Sequence, residues 1–148
     1  MKLMLPLLIV LFSTTALPAQ DDATKEEIKK LQGNWVRTSF HADGKSTDDG
    51  DRPPDKQVKL EFQGSTMHGD AFTLDITKTP RHINVTTIGH QGRKAIYPGI
   101  YELKGDVLKL CFPFPFEGKF DQIHKRPTEF DTKAGDNHVT EVYRRVKK

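Results

Sequence analysis

The sequence predicts an all-β protein, a closed antiparallel barrel of about eight short strands with one short helix near the N-terminus. Two observations and one physical argument predict this fold. Apolar and polar residues alternate from residue 33 onward, as they do in strands with one buried face. Turn residues recur about every eight to twelve positions. A sheet of so many strands removes its exposed edges completely only by closing on itself.

The first 19 residues have the order of a secretory signal peptide. Lys2 precedes an apolar run, Leu3 to Phe12, and small residues follow it up to Ala19. The run is shorter than the roughly 20 apolar residues that cross a bilayer. We therefore expect cleavage after Ala19 and no integral membrane segment. The single cysteine, Cys111, lies far from that point, which excludes a lipid anchor there and predicts a soluble periplasmic or secreted protein.

Residues 20–148 are then expected to form one domain with a single core. One cysteine cannot form an intramolecular disulfide, so the core alone must hold the fold. Cys111 stands between Leu110 and Phe112 and is predicted to be a buried, unreactive thiol. The formal net charge of the chain is only +3 and is spread along it, which does not indicate nucleic-acid binding.

The helix is predicted from Lys25 to Leu31. Thr24 and Glu27 have the spacing of a capping box at its start, and Ile28 and Leu31 lie on one face. The strands come after it, and the last hairpin turns at residues 104–106. The predicted strands are 35–40, 58–62, 71–76, 83–88, 99–103, 107–112, 128–131 and 138–146.

Residues 43–55 are predicted to be a polar loop, because the segment holds five aspartates together with glycine and proline. A calcium site of the EF-hand type does not fit. Aligning Gly50 with the loop glycine of that motif puts Lys45 and Thr47 at ligand positions and Lys56 at the position of the bidentate glutamate. The loop is therefore interpreted as a solvated acidic segment.

Several segments resemble the uncharacterised lipocalin-like domain family that is abundant in planctomycete bacteria. In chain order they are LQGNW (31–35), GIYEL (99–103), LCF (110–112) and RPTEF (126–130). The resemblance covers nearly the whole mature chain and implies a lipocalin-like barrel, without an established activity to carry over. The linker 113–125 departs from the family pattern, since it is longer and richer in phenylalanine.

Gly33 and Trp35 resemble the first-strand signature of lipocalins in the broad sense. There the tryptophan plugs the closed end of the barrel, and a late arginine or lysine packs over it. The resemblance implies Arg145 or Arg144 as that cation. Such a cation–π contact is worth about 0.5–2 kcal/mol and is structural, not catalytic.

Phe112, Phe114 and Phe116 alternate with Pro113 and Pro115, so this segment cannot pair as a central strand. One interpretation is that the rings line the open end of the barrel and contact an apolar ligand. A second is that the loop folds back as a cap on the core. A third is that it forms a patch for a protein partner.

The first functional hypothesis is therefore a non-enzymatic binding protein that holds a small apolar or amphipathic ligand in the barrel and needs no cofactor. The alternative is a protein-interaction module of the cell envelope that uses loop 113–120. The predicted ligand contacts are Trp35, Tyr101, Phe112, Phe114 and Phe116.

An enzyme is the third hypothesis, with Glu129, His68 and Cys111 as candidate groups brought together only by the fold. Arg126 and Glu129 are expected to form a charge pair that braces their loop on the barrel. None of the six histidines stands two or four residues from another, so no metal site is predicted. No Gly-x-Ser-x-Gly or phosphate-loop motif is present.

Overall fold

A computed structural model describes residues 19–114 and 125–147 of the chain. They form one α-helix and nine strands, and the nine strands are joined in one antiparallel sheet. The described part of the chain contains no helix with the length and apolar character needed to cross a membrane. The elements are α1 (Ala19–Leu31), β1 (Gly33–Ala42), β2 (Lys45–Asp48), β3 (Lys59–Gln63), β4 (Thr66–Met67), β5 (Asp70–Asp75), β6 (Arg81–Ile88), a 3₁₀ turn (His90–Gly92), β7 (Lys94–Lys104), β8 (Val107–Pro113) and β9 (His138–Arg145).

The sheet closes because β1 pairs with both β3 and β9. Neighbouring strands follow chain order from β3 to β9, so β1 and β3 to β9 make an eight-stranded barrel. The ninth strand, β2, pairs only with the second half of β1. A register shift between Arg37 and Ser39 bends β1 where its partner changes from β3 to β2. The prediction of a closed antiparallel barrel of about eight strands is confirmed.

The helix begins earlier than the capping box predicted. It starts at Ala19, so Thr24 lies inside it and does not cap it. Asp21 and Asp22 occupy the first turn, where acidic side chains favour the helix dipole. Lys25 also pairs with Asp21 at 2.5 Å, one turn away. These charges favour extending the helix toward the N-terminus.

Two predicted secondary-structure assignments were wrong, one a loop and one a strand. The predicted loop 43–55 contains β2, whose four exposed residues form a hairpin with Ser39–Ala42. Asp43 and Gly44 turn that hairpin with positive φ angles of 51° and 70°. Conversely, residues 128–131 are not a strand. They run over the outside of the barrel, where Thr140 Oγ1 donates to Phe130 O at 2.6 Å.

The core fills the half of the barrel next to α1. Alternate residues of each strand point inward there, and the largest are completely buried. Phe62 and Phe72 meet edge to face, with ring centroids 5.3 Å apart. Each such side chain contributes about 1.5–3 kcal/mol through burial. The buried core residues are Leu31, Trp35, Leu60, Phe62, Phe72, Ile83, Val85, Tyr101, Leu108, Leu110 and Tyr143.

Candidate functional site

Helix α1 closes the end of the barrel where β1 begins and β9 ends. Trp35 is completely buried there and donates its indole N–H to Leu31 O at 2.9 Å. The guanidinium of Arg145 lies 4.1 Å from the centroid of the Trp35 ring, whereas Arg144 is exposed. Gly33 starts β1 with a φ of 109°, a value that favours glycine. This end of the barrel is closed by side chains and helix together.

A buried carboxylate, Glu27, joins the helix to the barrel wall at the same end. It pairs with Arg81, whose guanidinium donates to Glu27 Oε1. Tyr101 is 1% exposed and its hydroxyl lies 3.5 Å from the same oxygen. Burial and then the charge of Glu27 raise the pKa of Tyr101 well above its ordinary value. Tyr101 therefore lies inside the core beneath α1.

The opposite half of the barrel has inward side chains that are only partly buried. Residues that pair across neighbouring strands have their side chains on the same face of the sheet. Trp35 is completely buried, which identifies its face as the inner one. Phe40 pairs with Glu141, Ala42 with Val139, and Val139 with Phe112 along this inner face. Phe112 also packs against the core cluster. We call this the open half of the barrel, and its described residues offer apolar surface around a smaller number of polar groups.

The polar groups form one network about halfway along the barrel. Arg37 Nε donates to Asp49 Oδ2 at 2.6 Å, and Arg37 Nη1 donates to Glu141 Oε1 at 2.6 Å. The hydroxyl of Tyr143 donates to Glu141 Oε2 at 3.0 Å. Arg37 also lies over the Phe40 ring, 4.8 Å from its centroid. We call Arg37, Asp49, Glu141 and Tyr143 the interior polar cluster.

Exposure differs among the members of the interior polar cluster. The side chain of Asp49 is 1% exposed, whereas those of Arg37 and Glu141 are 14% and 22% exposed. Arg52 Nε lies 2.8 Å from Asp49 Oδ1, but this oxygen has no aligned hydrogen-bond donor among the described residues. Asp49 therefore anchors the cluster inside, and Glu141 and Arg37 form the part that solvent reaches.

Hydrogen bonds within the cluster favour the charged guanidinium of Arg37 and the neutral hydroxyl of Tyr143. Burial alone disfavours the charged guanidinium of Arg37, but hydrogen bonds to Glu141 and Asp49 outweigh this effect and its pKa is raised. Burial, followed by the charge of Glu141, raises the pKa of Tyr143 well above its ordinary value. Tyr143 is thus a neutral hydrogen-bond donor at physiological pH. The cluster can accept or donate hydrogen bonds at a ligand.

The predicted ligand contacts are divided between the two halves of the barrel. Trp35 and Tyr101 lie buried at the closed end, and Phe112 lies on the inner face of the open half. Phe114 is 40% exposed, and its N–H donates to Asn137 O at 2.7 Å. Phe116 and the rest of the predicted loop from residue 115 to 120 lie outside the described residues, as do residues 1–18 of the predicted leader.

The three candidate catalytic groups are not brought together. Cys111 lies on β8, Glu129 on the segment outside the barrel, and His68 in the turn between β4 and β5. Three strands separate β4 from β8 in either direction around the barrel. Glu129 instead pairs with Lys133 at 3.1 Å. Burial raises the pKa of the Cys111 thiol to about 11, which disfavours the reactive thiolate.

Arg126 fastens the outer segment to the barrel wall in a way that the sequence did not indicate. It donates to Ile83 O at 3.1 Å, to Asn84 Oδ1 at 2.6 Å and to Gly99 O. The expected charge pair with Glu129 is replaced by these bonds to β6 and β7. Backbone carbonyls and an amide oxygen thus satisfy this partly buried guanidinium.

The interior polar cluster was missed in the sequence because Asp49 stands among exposed aspartates. Two signals were nevertheless present. Arg37 stands two residues after Trp35, and Glu141 stands two residues before Tyr143. Residues two apart share one face of a strand, so the sequence indicates that Arg37 and Glu141 lie on the buried face of their strands.

Within the described residues, no group of three or more His, Cys, Asp or Glu side chains is placed to hold a metal ion. Comparison of the chain with protein-family models, with curated proteins and with solved structures gave no match in any of the three. The barrel and its interior are therefore the features that bear on function. A barrel fold is compatible with a role in ligand binding.

Proposed function

We propose that this protein is a non-enzymatic binding protein that holds a small amphipathic molecule in the open half of its barrel. One observation carries the proposal: the partly exposed edge of the interior polar cluster, Arg37 and Glu141, faces inward beside partly buried apolar side chains. Binding pockets typically combine a mostly apolar lining with a few convergent polar groups.

The ligand would place its apolar body against Phe40, Phe112 and Val139, which line the inner face beyond the cluster. Its polar end would bond to the exposed edge of Arg37 and Glu141. Affinity would come from apolar area removed from water, at about 25 cal/mol per Å², and the polar cluster would fix orientation. The closed end, filled by Trp35 and its neighbours, sets the depth of the site.

The test is native mass spectrometry of the purified protein, followed by denaturing extraction of bound molecules. A second measurement is binding of a fluorescent uncharged amphiphile, N-phenyl-1-naphthylamine. Val139→Arg fills the open half and is expected to abolish binding. The matched control, Val107→Arg, alters an exposed residue of β8 and should bind normally. Equal binding by both variants, with no extracted molecule, would overturn the proposal.

A second candidate function is a protein-interaction module of the cell envelope. It is favoured by the exposed ring of Phe114 at the end of β8, since exposed aromatic side chains are enriched in interfaces. Phe114→Ser should then abolish capture of a defined partner in a pull-down, and should leave binding of the fluorescent amphiphile unchanged. Loss of amphiphile binding in that variant would assign Phe114 to the ligand site instead.

We further propose that the protein is periplasmic or secreted and belongs to the lipocalin-like family that its motifs resemble. The order of residues in the leader supports export, and the family proposal depends on the sequence segments that resemble it, 31–35, 99–103, 110–112 and 126–130. Export predicts a mature N-terminus at Gln20, measured by intact mass of the protein from culture medium or periplasm. Recovery of the full-length chain from the cytoplasm alone would contradict it.

A further inference from the structure

A groove of about 380 Å³ lies on the outside of the barrel, on the opposite side of the sheet from the interior polar cluster. Its floor is the outer face of three neighbouring strands, β8, β9 and β1, with Lys109, Thr140, Val142 and His41. One wall is the β1–β2 hairpin at residues 44–46, and the other is the outer segment at residues 130–133. We call this feature the outer groove.

Hydrogen bonds hold the two walls in place. Gly135 N donates to Asp43 Oδ1 at 2.8 Å, which ties the outer segment to the hairpin. The outer segment is also fastened to the floor, because Thr140 Oγ1 donates to Phe130 O at 2.6 Å. The Nε2 atom of His138 lies 3.2 Å from Asp131 O. The outer groove is therefore preformed, which lowers the entropic cost of binding.

The outer groove has an excess of positive charge. Lys45, Lys109 and Lys133 line it, against one carboxylate, that of Asp131. Lys133 is paired with a glutamate outside the lining. None of the ion pairs within residues 19–114 and 125–147 involves Lys45 or Lys109. Two ammonium groups thus remain to attract an anion.

Apolar surface lies beside these cations. Lys109 Nζ is held over the ring of Phe130, 5.3 Å from its centroid. Val142 lies on the floor and is partly exposed. The hydroxyl of Thr140, already donating to Phe130 O, keeps acceptor capacity on the floor. The lining thus combines lysine side chains with an aromatic and an aliphatic surface.

We propose that the outer groove is a second binding site, for a small organic carboxylate. The carboxylate binds between Lys45 and Lys109, and the apolar part of the molecule packs on Phe130 and Val142. A volume of about 380 Å³ is at the lower end of the range for ligand pockets, roughly 300–1,000 Å³. The neutral form of the same molecule lacks the charge that the lysines recognise.

The test is a titration of the ¹⁵N-labelled protein with benzoate, followed by amide chemical shifts. Saturable shifts are expected at Lys45, Thr132 and Thr140, and they should weaken as salt is raised. Benzamide, the uncharged counterpart, should give no saturable shifts. Lys45→Gln combined with Lys109→Gln should weaken benzoate binding about tenfold.

The matched control combines Lys59→Gln with Lys94→Gln, two exposed lysines on β3 and β7. It should bind benzoate as the unmodified protein does. Equal losses in both double variants, or saturable binding of benzamide, would overturn the assignment. Binding of inorganic phosphate as tight as that of benzoate would also overturn it, because phosphate has no apolar part. Val139→Arg, which fills the barrel, should leave benzoate binding intact and separates the two sites.

Discussion

The guanidinium of Arg145 lies 4.1 Å from the centroid of the Trp35 ring and also donates to two carbonyls at the end of α1. Its Nη1 bonds to Gln32 O at 2.6 Å and its Nη2 bonds to Lys30 O at 2.5 Å. Asp106 accepts from its Nε at 3.1 Å. One side chain of the last strand therefore connects the first strand, the helix and the β7–β8 turn.

Arg145→Gln is expected to lower the free energy of unfolding by about 2–3 kcal/mol, because it removes a cation–π contact and leaves helix-end carbonyls without their donor. Arg144→Gln, at the exposed neighbouring position, should change it by less than about 0.5 kcal/mol. Urea unfolding followed by Trp35 fluorescence measures both. Similar losses in the two variants would contradict the role given to Arg145.

The interior polar cluster gives a second prediction. Arg37→Met leaves Glu141 without its ion-pair partner and Asp49 with Arg52 alone, and should cost about 3–5 kcal/mol of unfolding free energy. Adding Asp49→Asn and Glu141→Gln removes the uncompensated charges. The triple variant should therefore be more stable than Arg37→Met alone, measured by urea unfolding at neutral pH.

The control for this prediction is the double variant Asp49→Asn with Glu141→Gln in the presence of Arg37. It leaves the guanidinium unpaired and should also be destabilised. If the losses from the Arg37 change and from the two carboxylate changes simply add, the groups do not act as one network. A non-additive result of several kcal/mol is the expected outcome.

The barrel could be predicted from the sequence because its signal is repeated in every strand. Alternation on β3 (Leu60, Phe62) and β8 (Leu108, Leu110) places one face inward regardless of what the rest of the chain does. The start of α1 could not, since the capping box at Thr24 competes with favourable charges one turn earlier. A local sequence pattern therefore predicted an element correctly only where no second local pattern favoured a different boundary.

The candidate sites depend on contacts between residues far apart in the chain. Local sequence patterns do not predict such contacts. Arg37 and Glu141 are 104 positions apart, yet they share a hydrogen bond across β1 and β9. Asp49 differs from its exposed neighbours only because β2 folds back and its N–H donates to Thr38 O. Phe130 lines a groove because its segment follows the outside of the barrel. The prediction of a strand at residues 128–131 did not indicate this position.

Gly99 gives a third prediction, from close packing between β7 and β8. A Cβ built on Gly99 lies 2.5 Å from Phe112 Cε1 and 2.8 Å from Cys111 O. Gly99→Ala should therefore force the two strands apart and cost about 1–3 kcal/mol or more. Phe112→Leu added to it should recover only part of the loss, because the contact with the Cys111 carbonyl remains.

The comparison for Gly99 is Gly105→Ala in the β7–β8 turn. There a Cβ meets nothing within 4 Å, but φ is +57°, so only the backbone cost of about 1 kcal/mol applies. Thermal unfolding of the two variants should rank Gly99→Ala as the less stable. The reverse order would mean that β7 and β8 adjust easily around Phe112.

Cys111 gives the last prediction, on the alkaline side. The ordinary pKa of its thiol is 9.0, and burial raises it to about 11 in the folded protein. Between these values the unfolded chain releases the thiol proton while the folded chain retains it, so the free energy of unfolding falls as pH rises through this window. At pH 10 the loss relative to pH 7 should be about 1 kcal/mol from this group.

Cys111→Ala serves as the control, because it retains the other titrating groups, including Tyr101 and Tyr143. The variant should be less stable than the unmodified protein at pH 7, since truncation leaves a small cavity. The stability gap between the two proteins should narrow between pH 8 and pH 10, as measured by urea unfolding at each pH. A gap that stays constant would mean that the thiol ionises in the folded state as readily as in the unfolded chain. If the gap stays constant, iodoacetamide should also label Cys111 of the folded protein rapidly at pH 9, since the thiolate is the reactive form.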